Sequence, residues 1–336
     1  MNLVRAELER LTNRRFVQLM VVLLLVAFAV TAATTLVGSH RPNADELSQA
    51  RAQAVQQVRE LESAHDRCLR IKAGQATPTD SDYVPVDCAE LDPGRMERLP
   101  MTSDYLEGVF TFATEARPLL YFLVAFLMLF GFLVGASYIG ADLNSGGVVN
   151  LLLWRPRRWA VLGAKLGTLL GALLGLTAVA SAAYLTAFWL IGKTVGHPGN
   201  LDGAFWRSLG AVYGRGLVLV LLAGALGFGI ATLGRHTAAA LGTVAAYLVV
   251  WELGARLVLH ILDAARPDQW MLSSYLLAWL NGEARFWDNH ACQGNFSGFC
   301  DGSYTLSWGP ALAVLLGLTV LLVGGAFAAF RRRDLI

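Results

Sequence analysis

Residues 140–165 read GADLNSGGVVNLLLWRPRRWAVLGAK. The stretch separates two long apolar runs and differs from both. It opens with Asp142, turns through Ser145-Gly146-Gly147, and regains a short apolar face at Val148, Val149, Leu151 and Leu152. A basic knot comes next, Arg155-Pro156-Arg157-Arg158, and Lys165 stands at the entry to the next run. Its meaning depends on what flanks it and on where the remaining positive charge falls.

The flanks are membrane spans by length and composition. Of 336 residues, 55% are hydrophobic and only 15% are charged, and the charge is absent from long stretches. A helix crossing the hydrocarbon core needs about 20 apolar residues. Six segments meet that need: 16–38, 118–140, 162–192, 211–233, 237–262 and 309–330. The third is longer than required, so it is expected to tilt or to emerge from the bilayer. Segment 16–38 is too long for a secretory leader, and no A-x-A-like cleavage site comes cleanly after it, so it reads as an uncleaved first span. The fold class is therefore all-α, a polytopic membrane protein with six transmembrane helices.

The distribution of Lys and Arg orients the spans. The leader carries Arg5, Arg10, Arg14 and Arg15, and the opening loop carries Arg155, Arg157 and Arg158. Arg235 and the tail residues Arg331, Arg332 and Arg333 fall on the same face when six helices are counted. The short opposite loop 193–210 has only Lys193 and Arg207. The positive-inside rule then places both termini and loop 140–160 in the cytoplasm. Loop 39–117 has nine Lys or Arg, but long loops translocate regardless of charge. Tryptophan agrees. Trp154 and Trp159 flank the inner boundary, and Trp189, Trp206, Trp270, Trp279, Trp287 and Trp308 gather near the outer one, where an apolar ring with a polar N–H sits best.

All four cysteines fall outside in this topology, in a compartment where disulfides persist. The economical pairing is within each loop, Cys68 with Cys88 and Cys292 with Cys300. His65 and His290 lie near them, but paired C-x-x-C spacing is missing, and no metal site is expected.

Residues 1–15 read as an amphipathic interfacial helix with Leu3, Val4, Leu8 and Leu11 on one face. Residues 39–117 form an extracellular insertion. Its first part, Asn43 to about Lys72, carries a partial apolar stripe and reads as a helix, and Pro78, Pro85, Pro93 and Gly94 break the remainder into irregular chain. Residues 118–336 hold the remaining five spans. Loop 263–308 is too short to span and too apolar to float in its first half, so a re-entrant or interfacial helix is expected, with a looped cap after it. Gly163, Gly167, Gly171 and Gly175 make a smooth face on the third span, which is expected to receive another helix.

Motifs that resemble catalytic ones do not hold up. Residues 187–194, AFWLIGKT, satisfy a relaxed phosphate-loop pattern, but that motif needs a strand, a loop and a helix. Here Phe188 and Trp189 stand inside the supposed loop, at the end of an apolar span. Neither G-x-S-x-G nor H-E-x-x-H occurs, and no nucleotide-binding domain fits in the chain. Charges within spans are costly and usually line an interior or a water-filled path. Arg215, Glu252 and Arg256 are such charges. Glu252 and Arg256 are i, i+4 and should pair, with Arg215 a third member of the group or of a pathway.

The opening loop resembles that of type-2 ABC transporter permeases. That family has an acid, a Gly four residues on, a Leu-Leu pair, a Pro, an Arg, and a Lys entering the next span. Here Asp142 precedes Gly146, the pair Leu152-Leu153 precedes Pro156, and Arg158 and Lys165 come after it. The ending FRRRDL (330–335), the amphipathic start, the six spans and the membrane-dipping last loop are also similar to the family's. Asp142 stands where Glu is commoner, Gly147 where Thr is commoner, and Pro156 and Arg158 are one residue closer than usual.

The resemblance implies a non-catalytic permease subunit of an ATP-driven exporter in a bacterial plasma membrane, forming half of the translocation pathway. It implies two cytoplasmic ATPase subunits as partners, a second permease subunit, and surrounding lipid, with no nucleic acid. ATP and Mg would be bound by the ATPase and no cofactor by this chain. Loop 140–160 would be the coupling helix, through Asp142, Gly146, Leu151, Leu152, Pro156, Arg158 and Lys165. The competing readings are a membrane-anchored sensor or assembly protein that uses residues 39–117, and an integral-membrane enzyme.

Overall fold

The computed structural model describes residues 3–77, 88–96, 99–145, 158–288, 290–291 and 302–332. A short helix, α1 (Leu3–Thr12), precedes the first long apolar helix, α2 (Arg15–Val37). The polar helix α3 (Ala44–Lys72) is next. Then come α4 (Phe112–Asn144), α5 (Arg158–Thr194), α6 (Gly203–Gly234) and α7 (Thr237–Ile261). A short helix α8 (Leu272–Asn281) and a hairpin of β1 (Glu283–Trp287) and β2 (Ser303–Ser307) lead into α9 (Trp308–Arg332). Among the described residues, six helices are long and apolar enough to cross a membrane: α2, α4, α5, α6, α7 and α9. The protein is a multi-pass, mostly helical membrane protein.

Helices α4, α5 and α6 run past the apolar windows that define their spans. The 33 residues of α4 rise about 50 Å at 1.5 Å per residue, well beyond a hydrocarbon core of about 30 Å. Their ends therefore stand in the interface or in water, where the charged residues of the bundle collect. Helices α4 and α6 form the centre. A Cβ on Gly135 would lie 2.3 Å from the Gly224 carbonyl oxygen, and one on Gly227 would lie 2.2 Å from that of Phe132. The two backbones touch because glycine stands at each crossing point, the small-residue packing that apolar helices use when lipid supplies no hydrophobic drive.

The four glycines of α5 behave otherwise. A Cβ on Gly163, Gly167, Gly171 or Gly175 would meet nothing within 4 Å. The smooth face therefore receives no helix among the described residues of this chain, contrary to the sequence expectation. Helix α5 turns its other side inward, with Leu162, Leu169, Leu173, Tyr184 and Phe188 buried. Phe28 of α2 joins that core beside Tyr184, ring centroids 5.3 Å apart. Apart from such contacts α2 and α7 lie at the periphery, most of their apolar side chains exposed.

Residues between α2 and α4 leave and return at one neck. The His40 N–H donates to Gly108 O at 3.3 Å, and the Phe110 N–H donates to Ser39 Oγ at 2.9 Å. Helix α3 begins at a capping box, Asn43 accepting from the Glu46 N–H and Glu46 from the Asn43 N–H, so two otherwise orphaned donors are satisfied. Its far end is tied by a Cys68–Cys88 disulfide, Cα atoms 5.8 Å apart, to a short 3₁₀ turn at Cys88–Leu91. The expected Cys292–Cys300 bridge lies outside the described residues. The segment expected to form a looped cap, 289–302, lies largely outside the described residues, and on either side of it the chain pairs as an antiparallel hairpin, Glu283 with Ser307 through Trp287 with Ser303.

Candidate functional site

The ends of α4 and α5, which flank loop 146–157, meet α1 in a buried polar cluster. Asp142 sits in the last turn of α4 and Lys165 in the second turn of α5. Lys165 Nζ donates to Asp142 Oδ2 at 2.7 Å and to Glu7 Oε2 at 2.8 Å. Tyr138, one helical turn before Asp142, donates its hydroxyl to the same Glu7 oxygen at 2.5 Å. Arg14, between α1 and α2, forms an ion pair with Asp142 and also donates to Ser137 O at 3.2 Å. Both Arg14 and Lys165 lie over the Tyr138 ring, 5.1 and 4.8 Å from its centroid.

Burial gives this cluster its energetic weight. Glu7 and Lys165 are each only 1% exposed. A buried ion pair adds little net stability, because desolvation offsets attraction, but losing one partner strands the other charge at a cost of about 3–5 kcal/mol. Two carboxylates and two cations, with Arg10 reaching Glu7 Oε1 at 3.5 Å from the rim, make a nearly neutral group in which each acid has a cation. Glu7 accepts from Tyr138, Lys165 and Arg10, and Asp142 from Arg14 and Lys165, so each carboxylate oxygen has a donor. What the arrangement does is fix three helix ends relative to one another at the point where the loop departs and returns.

Of the residues singled out in this stretch, the structure brings Asp142 and Lys165 into direct contact. Arg158 stands at the first position of α5 and donates to the Arg331 carbonyl at 3.3 Å, tying α5 to the end of α9. Cations suit a helix C-terminus, where carbonyls lack partners. Gly146, Leu151, Leu152 and Pro156 lie outside the described residues. Glu7, Arg14 and Tyr138 were not foreseen. The only sequence signal for Glu7 is that it is i, i+4 from Leu11, which is 4% exposed, while Leu8 of the expected apolar face is 42% exposed. Helix α1 is thus rotated from the expected face, and it turns a carboxylate toward the bundle.

The second candidate group does not assemble as expected. Glu252 and Arg256 make no ion pair with each other. Glu252, in the π-helical centre of α7 (Tyr247–Ala255), accepts from the Tyr247 hydroxyl at 3.0 Å and from the Ser273 N–H and Oγ, both at 2.9 Å. Ser273 is in the first turn of α8, where unpaired N–H groups and the helix dipole favour a carboxylate. Arg256 instead pairs with Asp268 at 2.7 Å. Each charge finds a better partner on the segment after α7 than on its own helix. Arg215 joins neither pair. Its guanidinium packs on Gly282, just past the end of α8, where a Cβ would lie 2.6 Å away. Together these contacts pin α8 against α6 and α7.

The phosphate-loop look-alike, residues 187–194, lies within continuous α5, with Phe188 fully buried, so it is not a strand–loop–helix. Among the described residues no group of three or more His, Cys, Asp or Glu could hold a metal ion. Compared with known families, residues 1–335 match the model described as ABC-2 family transporter protein. No curated protein and no solved structure matches the chain.

Proposed function

The chain belongs to the ABC-2 transporter family, and from that premise we propose that it is the permease subunit of an ATP-driven exporter. In this reading two copies of a separate cytoplasmic ATPase bind ATP and Mg, and this chain, with a second permease subunit, forms the pathway. Both termini and loop 140–160 face the ATPases, while residues 39–117 and loop 263–308 lie on the far side of the membrane.

One observation carries the coupling role: the contacts among Glu7, Asp142 and Lys165 clamp α1, α4 and α5 where the loop begins and ends. A push on the loop from a moving ATPase would therefore reach three helices together, as a rigid-body displacement rather than a local bend. The apolar side chains Leu151 and Leu152 would seat in the ATPase, and the arginines at 155, 157 and 158 would meet its carboxylates or anionic lipid. Arg215, Glu252 and Arg256 hold α8 in place in this account and do not themselves form a pathway.

The test is reconstitution of the chain in lipid with its ATPase. Vanadate-sensitive ATP hydrolysis that depends on the chain, and is reduced at least tenfold by Leu152→Asp, supports the reading. Hydrolysis indifferent to both would contradict it.

A further inference from the structure

A cleft of about 790 Å³ opens between α3 and the loop joining α5 to α6, at the end of the bundle opposite the Glu7–Asp142–Lys165 cluster. Its size lies within the range of small-molecule sites, about 300–1,000 Å³. Helix α3 contributes Arg51, Val55, Val58, Arg59 and Glu62, which fall on one face; Met101, from the chain between α3 and α4, and His197, from the α5–α6 loop, line the rest. Val55 is 50% exposed and Met101 38% exposed, so the cleft presents open apolar surface beside its charges. Among the described residues neither Arg51 nor Arg59 carries an ion pair, and Glu62 is the cleft's one described carboxylate against two guanidiniums.

His197 adds a hydrogen-bond donor. Its Nδ1 accepts from the Gly199 N–H at 3.0 Å, which in the neutral ring leaves Nε2–H as donor. Burial, and then the nearby Arg51 charge, lower its pKa and keep the ring neutral. The position of this loop is set by the bundle itself. The Phe112 N–H donates to His197 O at 3.0 Å, and the His197 N–H donates to Phe110 O at 2.9 Å. One wall of the cleft therefore belongs to the segment between α2 and α4, and the other is bolted to the start of α4.

We propose that this cleft binds a small anionic amphiphile, its acidic head against Arg51 and His197 and its apolar part along Val55, Val58 and Met101. Such a ligand bridges α3 to the α5–α6 loop and draws the two together. The proposal does not depend on an ATPase partner.

The test uses the full chain in nanodiscs of zwitterionic lipid, with titrations corrected by empty nanodiscs. The probes are dodecyl phosphate, dodecanoate, dodecyltrimethylammonium and inorganic phosphate. Expected is saturable binding of one or both dodecyl anions, weakened at least tenfold by Arg51→Ala and by Val58→Asp. The tighter of the two anions identifies a phosphate or a carboxylate head as the natural one. Binding of the dodecyl cation with equal affinity, binding of inorganic phosphate as tight as that of dodecyl phosphate, or an unchanged affinity in Arg51→Ala would overturn the proposal. Amide exchange of the wild-type chain provides a readout free of variant folding. The anions should protect residues 51–62 and 197–200, and protection absent there also overturns it.

Discussion

Lys165 is the residue on which the polar cluster turns, since it alone contacts both of its carboxylates. Replacing it with Met leaves buried Glu7 with only the rim cation Arg10 and the Tyr138 hydroxyl, and the unfolding free energy should fall by up to about 3–5 kcal/mol. Adding Glu7→Gln to Lys165→Met should recover part of that loss, because the stranded charge is then gone. Thermal unfolding of the four proteins in nanodiscs closes the cycle, and strict additivity would show that the two residues do not interact. The sequence made half of this cluster visible. Asp142 and Lys165 bracket a loop whose pattern draws attention to them. Glu7 did not stand out because one carboxylate in a ten-residue helix full of charges looks solvated. Its burial comes from partners more than 100 positions away. A second prediction at this scale concerns Asp288. The Arg266 guanidinium, hydrogen-bonded at 2.6 Å, is the main cause holding its carboxyl below the ordinary range. A lowered pKa in the folded state means the contribution is complete above the unfolded value, about 3.9, and is lost as pH falls through the folded one. The hairpin amides 283–287 should therefore keep their exchange protection at neutral pH and lose it only in stronger acid, and Asp288→Asn should remove that acid transition.

The elements are held by contacts of different legibility. Every long helix could be read from apolar length, and α3 could be read from its stripe and its Asn43 start. The packing partners could not. Four glycines in register on α5 look more like a helix-packing face than the glycines of α4 and α6, yet the close approach is at Gly135, Gly224 and Gly227. Spacing shows where a smooth face lies on a helix but not which neighbour the connectivity brings to it. Gly135→Val should thus collapse the α4–α6 contact and abolish a cooperative unfolding transition, while Gly167→Val should leave the unfolding midpoint of the isolated chain unchanged. Equal effects of the two would contradict the packing described. The same limit explains Glu252 and Arg256. Their i, i+4 spacing was visible, but α8 and the turn before it supply closer partners. The Cys68–Cys88 bridge, separated by 20 residues, should stabilise its loop by about 3 kcal/mol on chain-entropy grounds. Its reduction should speed proteolysis between α3 and α4 and leave the six long helices protected.

The whole molecule is a bundle with its charge sorted to two ends. At one end, the termini of α1, α4, α5 and α9 share ion pairs and capping contacts. At the other, α3, the α5–α6 loop and the hairpin build a wet surface. That sorting makes the proposed topology testable by single-cysteine labelling in intact cells. Residues near Arg10 and Arg332 should react only after permeabilisation, and residues on α3 before it. The central claim, that the clamped loop couples this subunit to an ATPase, is tested most directly by ATP hydrolysis in lipid. Wild type is compared with Leu152→Asp, a change in the loop that alters none of Glu7, Asp142 and Lys165. The account predicts vanadate-sensitive hydrolysis that requires this chain and falls at least tenfold in the variant while its unfolding midpoint is unchanged. Hydrolysis that is the same with wild type, with the variant and with no chain at all would contradict it.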